Sequence, residues 1–300
     1  MPKVPIVDYL KTLASMWQAH APSGGISLDS YARQLALYAK ELNCGPGAPD
    51  VGLDLFRQLV MARENDLRWR MLGANVQRKS ELSSVQRSAL LSLEVEPDLL
   101  GPMRELRYEP IHTKLLAYHL DPVNGSELAP QLLEAFLISM SRYCQERGYA
   151  EPTYAPGCEV SVEPERTTSK GRVDISISLS NMLILVENKI DATEGHAQLD
   201  RYHDALTELR GARQGLLVYL TLPGAQPPRS RVPCVHMTFR DVLHAWLPFS
   251  NQADGSSNYL ARYLKSIAVG LLELCRQGGF DRWSLREQRA MLELVEECVA

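Results

Sequence analysis

Residues Gly171–Tyr202 read GRVDISISLSNMLILVENKIDATEGHAQLDRY. Two short runs rich in β-branched and apolar residues, RVDISISL and MLILVENKI, are parted by Ser180 and Asn181 and predict a pair of strands. A helical pattern, HAQLDRYHDALTELR, follows. Side chains alternate in direction along a strand. Alternation groups Val173, Ile175 and Ile177 on one face and turns Asp174, Ser176 and Ser178 to the other. A carboxylate and hydroxyls on an inward face need partners, because an unpaired buried charge is costly.

The second run ends in charge. Alternation sets Glu187 and Lys189 on one face, with Val186 and Asn188 opposite, and the usual strand rise separates their Cα atoms by roughly 6–7 Å. Hard cations such as Mg²⁺ take oxygen ligands and keep several waters. Asp174 and Glu187 would each give one oxygen, with a backbone carbonyl near Asn188 as a third ligand. Lys189 would hold an attacking water or stabilise charge developing on a phosphate. The plainer reading pairs Asp174 with Lys189 as a cross-strand ion pair, or leaves each solvated. Gln198 and Tyr202 are four residues apart and share a helix face.

The rest of the chain sets limits. Three hundred residues with 45% hydrophobic and 23% charged residues suit one large or two smaller globular domains. The formal net charge of −4 is unlike a general nucleic-acid coat protein, but a bound metal or a local basic surface could still engage phosphates. Six cysteines are scattered without C-x-x-C spacing or a companion histidine cluster, which reads as reduced, mostly buried thiols. The start, MPKVPIVDYLKTL, does not read as a signal peptide, and no run reaches membrane-span length. The expected location is cytoplasmic.

Residues 1–105 read as a helical N-terminal region. Val7, Leu10, Leu13 and Trp17 fall at helical spacing, and Ser27 or Asp29 would cap a helix over SYARQLALYAKEL. Arg57, Arg63, Arg68, Arg70, Arg78, Lys79 and Arg87 make the next stretch basic, either as a solvated helix face or as a phosphate-contacting surface. Residues 106–150 predict two helices broken at DPVNGSELAP. After the strands come GLLVYLTL, a Pro- and Arg-rich loop PGAQPPRSRVP read as exposed and mobile, a strand over PCVHMTF and a helix over DVLHAWL. Residues 257–300 predict C-terminal helices packing on the core, with Leu285, Met291, Leu292, Val295 and Val299 as an apolar stripe.

The Asp174, Glu187-Asn188-Lys189 and Gln198-x-x-x-Tyr202 elements resemble those of the PD-(D/E)XK phosphodiesterase superfamily, which includes restriction enzymes and recombination exonucleases. EPIHTKLLAYHLDP, VDI, ENKI and QLDRYH are also similar to a group of uncharacterised bacterial and phage-associated members. The likeness covers residues 106–245, and Val173 stands where the superfamily's first motif is named for proline. It implies an α/β fold: an α-β-β-β-α-β restriction-endonuclease-like core over 106–248, its mixed sheet flanked by helices, with helical N- and C-terminal additions.

The same likeness implies a nuclease that hydrolyses DNA with Mg²⁺ or Mn²⁺, in a setting such as restriction or phage defence. The superfamily's helix often adds an acid to the site. Glu109 is the choice from the Glu-x-x-His-Thr match, with Glu134 as its rival. Gln198, Tyr202 and Arg172 are candidates to contact DNA or support the ligands. His112, His196 and His203 lack the mutual spacing of a metal set. A competing reading is a non-catalytic nucleic-acid- or protein-binding module on the same scaffold. The helical ends are where a second copy or a defence-system partner would dock.

Overall fold

The computed structural model describes residues 49–155, 157–250, 255–274 and 279–297, so the helices expected around Val7–Trp17 and Ser30–Leu42 lie outside the described residues. The chain divides into two compact units, residues 1–70 and 71–300. Helix α1, Pro49–Glu81, begins in the first unit and ends in the second.

The second unit holds the sheet. Helix α2, Ser84–Val95, opens on a capping box in which the Ser83 hydroxyl accepts from Gln86 N–H and the Gln86 side chain accepts from Ser83 N–H. Helix α3, Glu109–Leu120, starts with Pro110 in its first turn, where a missing N–H costs nothing. Helix α4, Ala129–Arg147, ends at Gly148, whose φ of 67° supplies the left-handed stop. Then come β1 (Ser161–Thr168), β2 (Gly171–Ser178), β3 (Met182–Asn188), α5 (Gln198–Leu209), β4 (Gln214–Thr221), β5 (Val235–Thr238) and α6 (Phe239–Trp246). Helices α7 (Gly255–Ser266) and α8 (Leu285–Glu297) complete the described α-helices. Among the described residues no helix is long and apolar enough to cross a membrane.

The five strands lie in the order β1-β2-β3-β4-β5. The first three pair antiparallel, while β3–β4 and β4–β5 pair parallel. Helices cover both faces of this mixed sheet. Ile177, Ile184, Val186, Val218 and Leu220 pack with the helix layer that includes Leu116, Phe136 and Trp246. Leu183, Leu185, Leu217 and Tyr219 pack with Leu199, Tyr202 and Leu206 of α5. Strand β3, at the centre, is buried along its whole length, as expected where helices cover both faces. The C-terminal stripe joins the helix-side core through Met291, Leu292 and Val295.

Two details depart from the simple strand reading. Val173 does not share a face with Ile175 and Ile177, because it packs in the α5-side cluster and they pack on the other. Glu165, in the left-handed region at φ 52°, lies opposite Asp174, and the β1–β2 ladder passes from Pro164↔Ile175 to Arg166↔Val173 without pairing them. The strands are locally irregular there, so two-residue alternation fails across Asp174. Second, β2 and β3 part early. Their ladder ends at Ile175↔Val186, whereas β3–β4 pairing continues to Asn188↔Leu220.

Candidate active site

The parting of β2 and β3 makes the site. Past Ile175, the Asp174 carboxylate takes the ladder's place, its Oδ2 accepting from Asn188 N–H at 2.8 Å. On the other side Lys189 N–H donates to the Leu220 carbonyl at 2.8 Å. Backbone on one flank and a carboxylate on the other therefore fix the end of β3. Glu187 and Lys189 project there together, with Glu187 Oε1 2.5 Å from Lys189 Nζ.

Helix α3 reaches the same point from the opposite face. Glu109 Oε1 accepts from Ile190 N–H at 2.9 Å and Ala192 N–H at 3.3 Å, and Glu109 Oε2 stands 3.9 Å from Lys189 Nζ. The Asn188 side chain points towards α3, donating to the Glu109 carbonyl at 3.4 Å and the Thr113 hydroxyl at 3.3 Å. This side-chain role goes beyond the backbone carbonyl expected of Asn188. Its signal was available, since a buried amide on the helix-facing side of a strand needs partners.

Helix α5 closes the third side. Gln198 Nε2 donates to Glu187 Oε1 at 2.6 Å and to the Tyr202 hydroxyl at 3.0 Å, while Gln198 Oε1 accepts from Gly195 N–H at 3.0 Å. The Tyr202 hydroxyl donates to the Arg172 carbonyl at 2.5 Å, tying α5 to the strand beside Asp174. Arg172 thus meets the site through its backbone, and its exposed guanidinium sits 3.5 Å from Glu165. Of the other candidates, Glu134 lines a separate cleft with Ile138, Arg142 and Tyr154. His112 is enclosed between Tyr263 and the Leu106 carbonyl. In the basic stretch, Arg78 and Lys79 pair with Glu296 and Glu94.

Electrostatics set this cluster apart. Burial pushes the Glu187 carboxyl up to about 8, and the neighbouring Asp174 charge adds to the rise against the pull of Lys189. Burial also raises Asp174, against the Asn188 N–H and Lys189. For Lys189 burial acts downward, but the Glu187 carboxylate, with Glu109 and Asp174 behind it, carries it above the usual lysine value. The ammonium stays charged, and the cluster is short of positive charge.

Glu187 Oε2 is fully buried and has no hydrogen-bond partner among the described residues. Native proteins seldom leave such an atom without a reason. Among the described residues no three His, Cys, Asp or Glu side chains form a complete metal-ligating set. A hard cation that keeps several of its own waters needs fewer protein ligands than that. A buried carboxylate with an idle oxygen, beside the half-buried carboxylate of Asp174, fits such an ion.

The comparisons agree with this arrangement. The family model of the PD-(D/E)XK nuclease superfamily matches residues 102–276. The chain belongs to the PD-(D/E)XK nuclease superfamily. No curated protein and no solved structure matches the chain. The matched PD-(D/E)XK region contains α3, α4, the whole sheet, α5 and α6, hence every residue of the cluster. Membership supports a nuclease-like function, and PD-(D/E)XK nucleases typically use divalent metals.

Proposed function

We propose that the protein is a Mg²⁺- or Mn²⁺-dependent nuclease that hydrolyses DNA phosphodiester bonds. The observation that carries this reading is the buried Glu187 carboxyl beside Asp174, with one oxygen unpartnered and Lys189 as its near cation. Asp174 and Glu187 would hold the ion, with the Asn188 backbone carbonyl as a third oxygen. When bound, a divalent cation supplies Lewis acidity and positive charge at the phosphate.

The chain's own groups supply the rest. Lys189, held charged between Glu187 and Glu109, can hold a water by hydrogen bond and stabilise negative charge growing on the phosphoryl oxygens. Gln198 fixes the rotamer of Glu187, and Asp174 is fixed by Asn188 N–H. Glu109, anchored on the turn after β3, holds the start of α3 against that turn and bounds the ammonium on its outer side. Preorganised groups of this kind lower the barrier because little must move at the moment of reaction.

The test is cleavage of supercoiled and linear plasmid with Mg²⁺ or Mn²⁺ by wild type, Asp174→Ala and Lys189→Ala. The proposal expects metal-dependent cleavage by wild type and a loss of at least 100-fold, on the order of one electrostatic catalytic group, in each variant. Cleavage that persists unchanged in Lys189→Ala would point to a contaminant or to another site. DNA binding with no cleavage under any metal would leave a binding module on a nuclease scaffold.

A further inference from the structure

The loop between β4 and β5 reads from its sequence as exposed and mobile, yet its second half is fastened beside the site. Glu194, in the turn that links β3 to α5, is only 7% exposed. Among the described residues its partners are backbone amides and not a cation. Its Oε2 accepts the backbone N–H of Arg229 at 2.6 Å and of Ser230 at 3.3 Å. Ser230 Oγ in turn accepts Val232 N–H at 3.2 Å, and Val232 packs on the cluster that contains Tyr202 and Tyr219. Pro227 and Pro228 precede this segment and Pro233 follows it, each fixing its own φ.

This anchoring leaves two guanidinium groups outside. Arg229 and Arg231 are exposed, and neither forms an ion pair among the described residues. Most other basic side chains near the site are engaged: Arg107 with Asp191, Arg172 with Glu165, Lys189 with Glu187. The anchor is joined to the acidic cluster by short links. Glu194 adjoins Gly195, whose N–H holds Gln198, which holds Glu187. Tyr219, beneath the loop, is the β4 partner of Glu187 in the ladder.

We propose that Arg229 and Arg231 contact the backbone phosphates of the nucleic-acid strand that enters the site, with Glu194 as the positioning residue that presents them. The inference rests on the nuclease reading and adds where the substrate runs, over the α5 side of the sheet. Contacts to phosphate are sequence-independent and release counterions, so they appear in the salt dependence of binding.

The experiment measures fluorescence anisotropy of a fluorescein-labelled DNA duplex across a KCl series, in EDTA and again with Ca²⁺. It compares wild type, Arg229→Ala/Arg231→Ala and Arg229→Lys/Arg231→Lys. The alanine pair should weaken binding and reduce the slope of log affinity against log salt by about 2, roughly one per lost phosphate contact. The lysine pair should restore most of that slope. An alanine pair with the wild-type slope overturns the proposal, as does an equal loss in the lysine pair, which would mark a structural effect. Wild type that binds DNA in neither condition overturns the nuclease reading as well, whereas wild type that cleaves while the alanine pair binds normally overturns the loop alone.

Discussion

Glu187 holds its place through one oxygen only. Oε1 meets Gln198 and Lys189, while Oε2 meets no partner among the described residues. Its effects should therefore separate into positioning and charge. Gln198→Ala removes the amide that orients Glu187 and should lower kcat about 10- to 100-fold, the usual cost of losing a group behind a metal ligand. Its far-ultraviolet circular dichroism should stay that of wild type, and an unchanged kcat would remove Gln198 from the site's support. Glu187→Gln instead replaces a buried carboxyl whose charged form is opposed by burial and by Asp174. In EDTA this variant should melt no lower than wild type, because a carboxyl already pushed up to about 8 gains little from being charged in that place and the neutral amide replaces its protonated form. Mg²⁺ should raise the melting temperature of wild type by binding the folded state. That rise should vanish in Glu187→Gln, as scanning calorimetry with and without Mg²⁺ would show.

At the scale of elements, α3 carries two buried histidines that make the helix layer sensitive to acid. Burial lowers His112 to about 4, against the opposing hydrogen bond to the Leu106 carbonyl. Burial likewise lowers His119 to about 4. His112 in its neutral form can donate from Nε2 to Leu106 and accept at Nδ1 from Tyr263, and His119 Nε2 is buried without a partner among the described residues. Between pH 6.5 and about 4 the unfolded chain takes up protons that the folded chain refuses, so stability falls as pH falls through that window. Each histidine contributes roughly 3 kcal/mol to the full loss. Glu187, pushed up to about 8, acts in the opposite sense over this range, so the histidine effect is read as a difference between proteins. Urea denaturation at pH 7.5 and pH 5 should show that His119→Asn loses less of its midpoint on acidification than wild type does. An equal change with pH in the two proteins would contradict this.

These elements also show what the sequence can and cannot tell. The strands β2 and β3 were legible because RVDISISL and MLILVENKI are short, branched and bounded by turn residues. The facing of Val173 was not legible, since it depends on Glu165, in another strand, adopting φ 52°. Glu194 gave no signal either. A glutamate in a polar loop reads as solvated, and only the return of the chain from β4 brings the Arg229 and Ser230 N–H groups onto it.

On the scale of the whole molecule, the family match, the mixed sheet and the acidic cluster converge on one place. β3 ends early against β2 and late against β4, and α3 and α5 reach that end from opposite faces. The order of strands and helices followed from alternating patterns and turn residues. The convergence itself depends on contacts across 81 positions, between Ile190 and Glu109, which no local pattern encodes. The net charge of −4 says nothing about this site, because the deficit of positive charge is local to Asp174, Glu187 and Glu109. The nuclease proposal turns on one divalent ion seated between Asp174 and Glu187. Anomalous diffraction from crystals soaked in Mn²⁺ measures this directly. A single strong peak is expected within bonding distance of one oxygen of each carboxylate, with Lys189 Nζ displaced from Glu187 towards solvent. A map with no peak there, or with its peak elsewhere while Lys189 still pairs with Glu187, would contradict it.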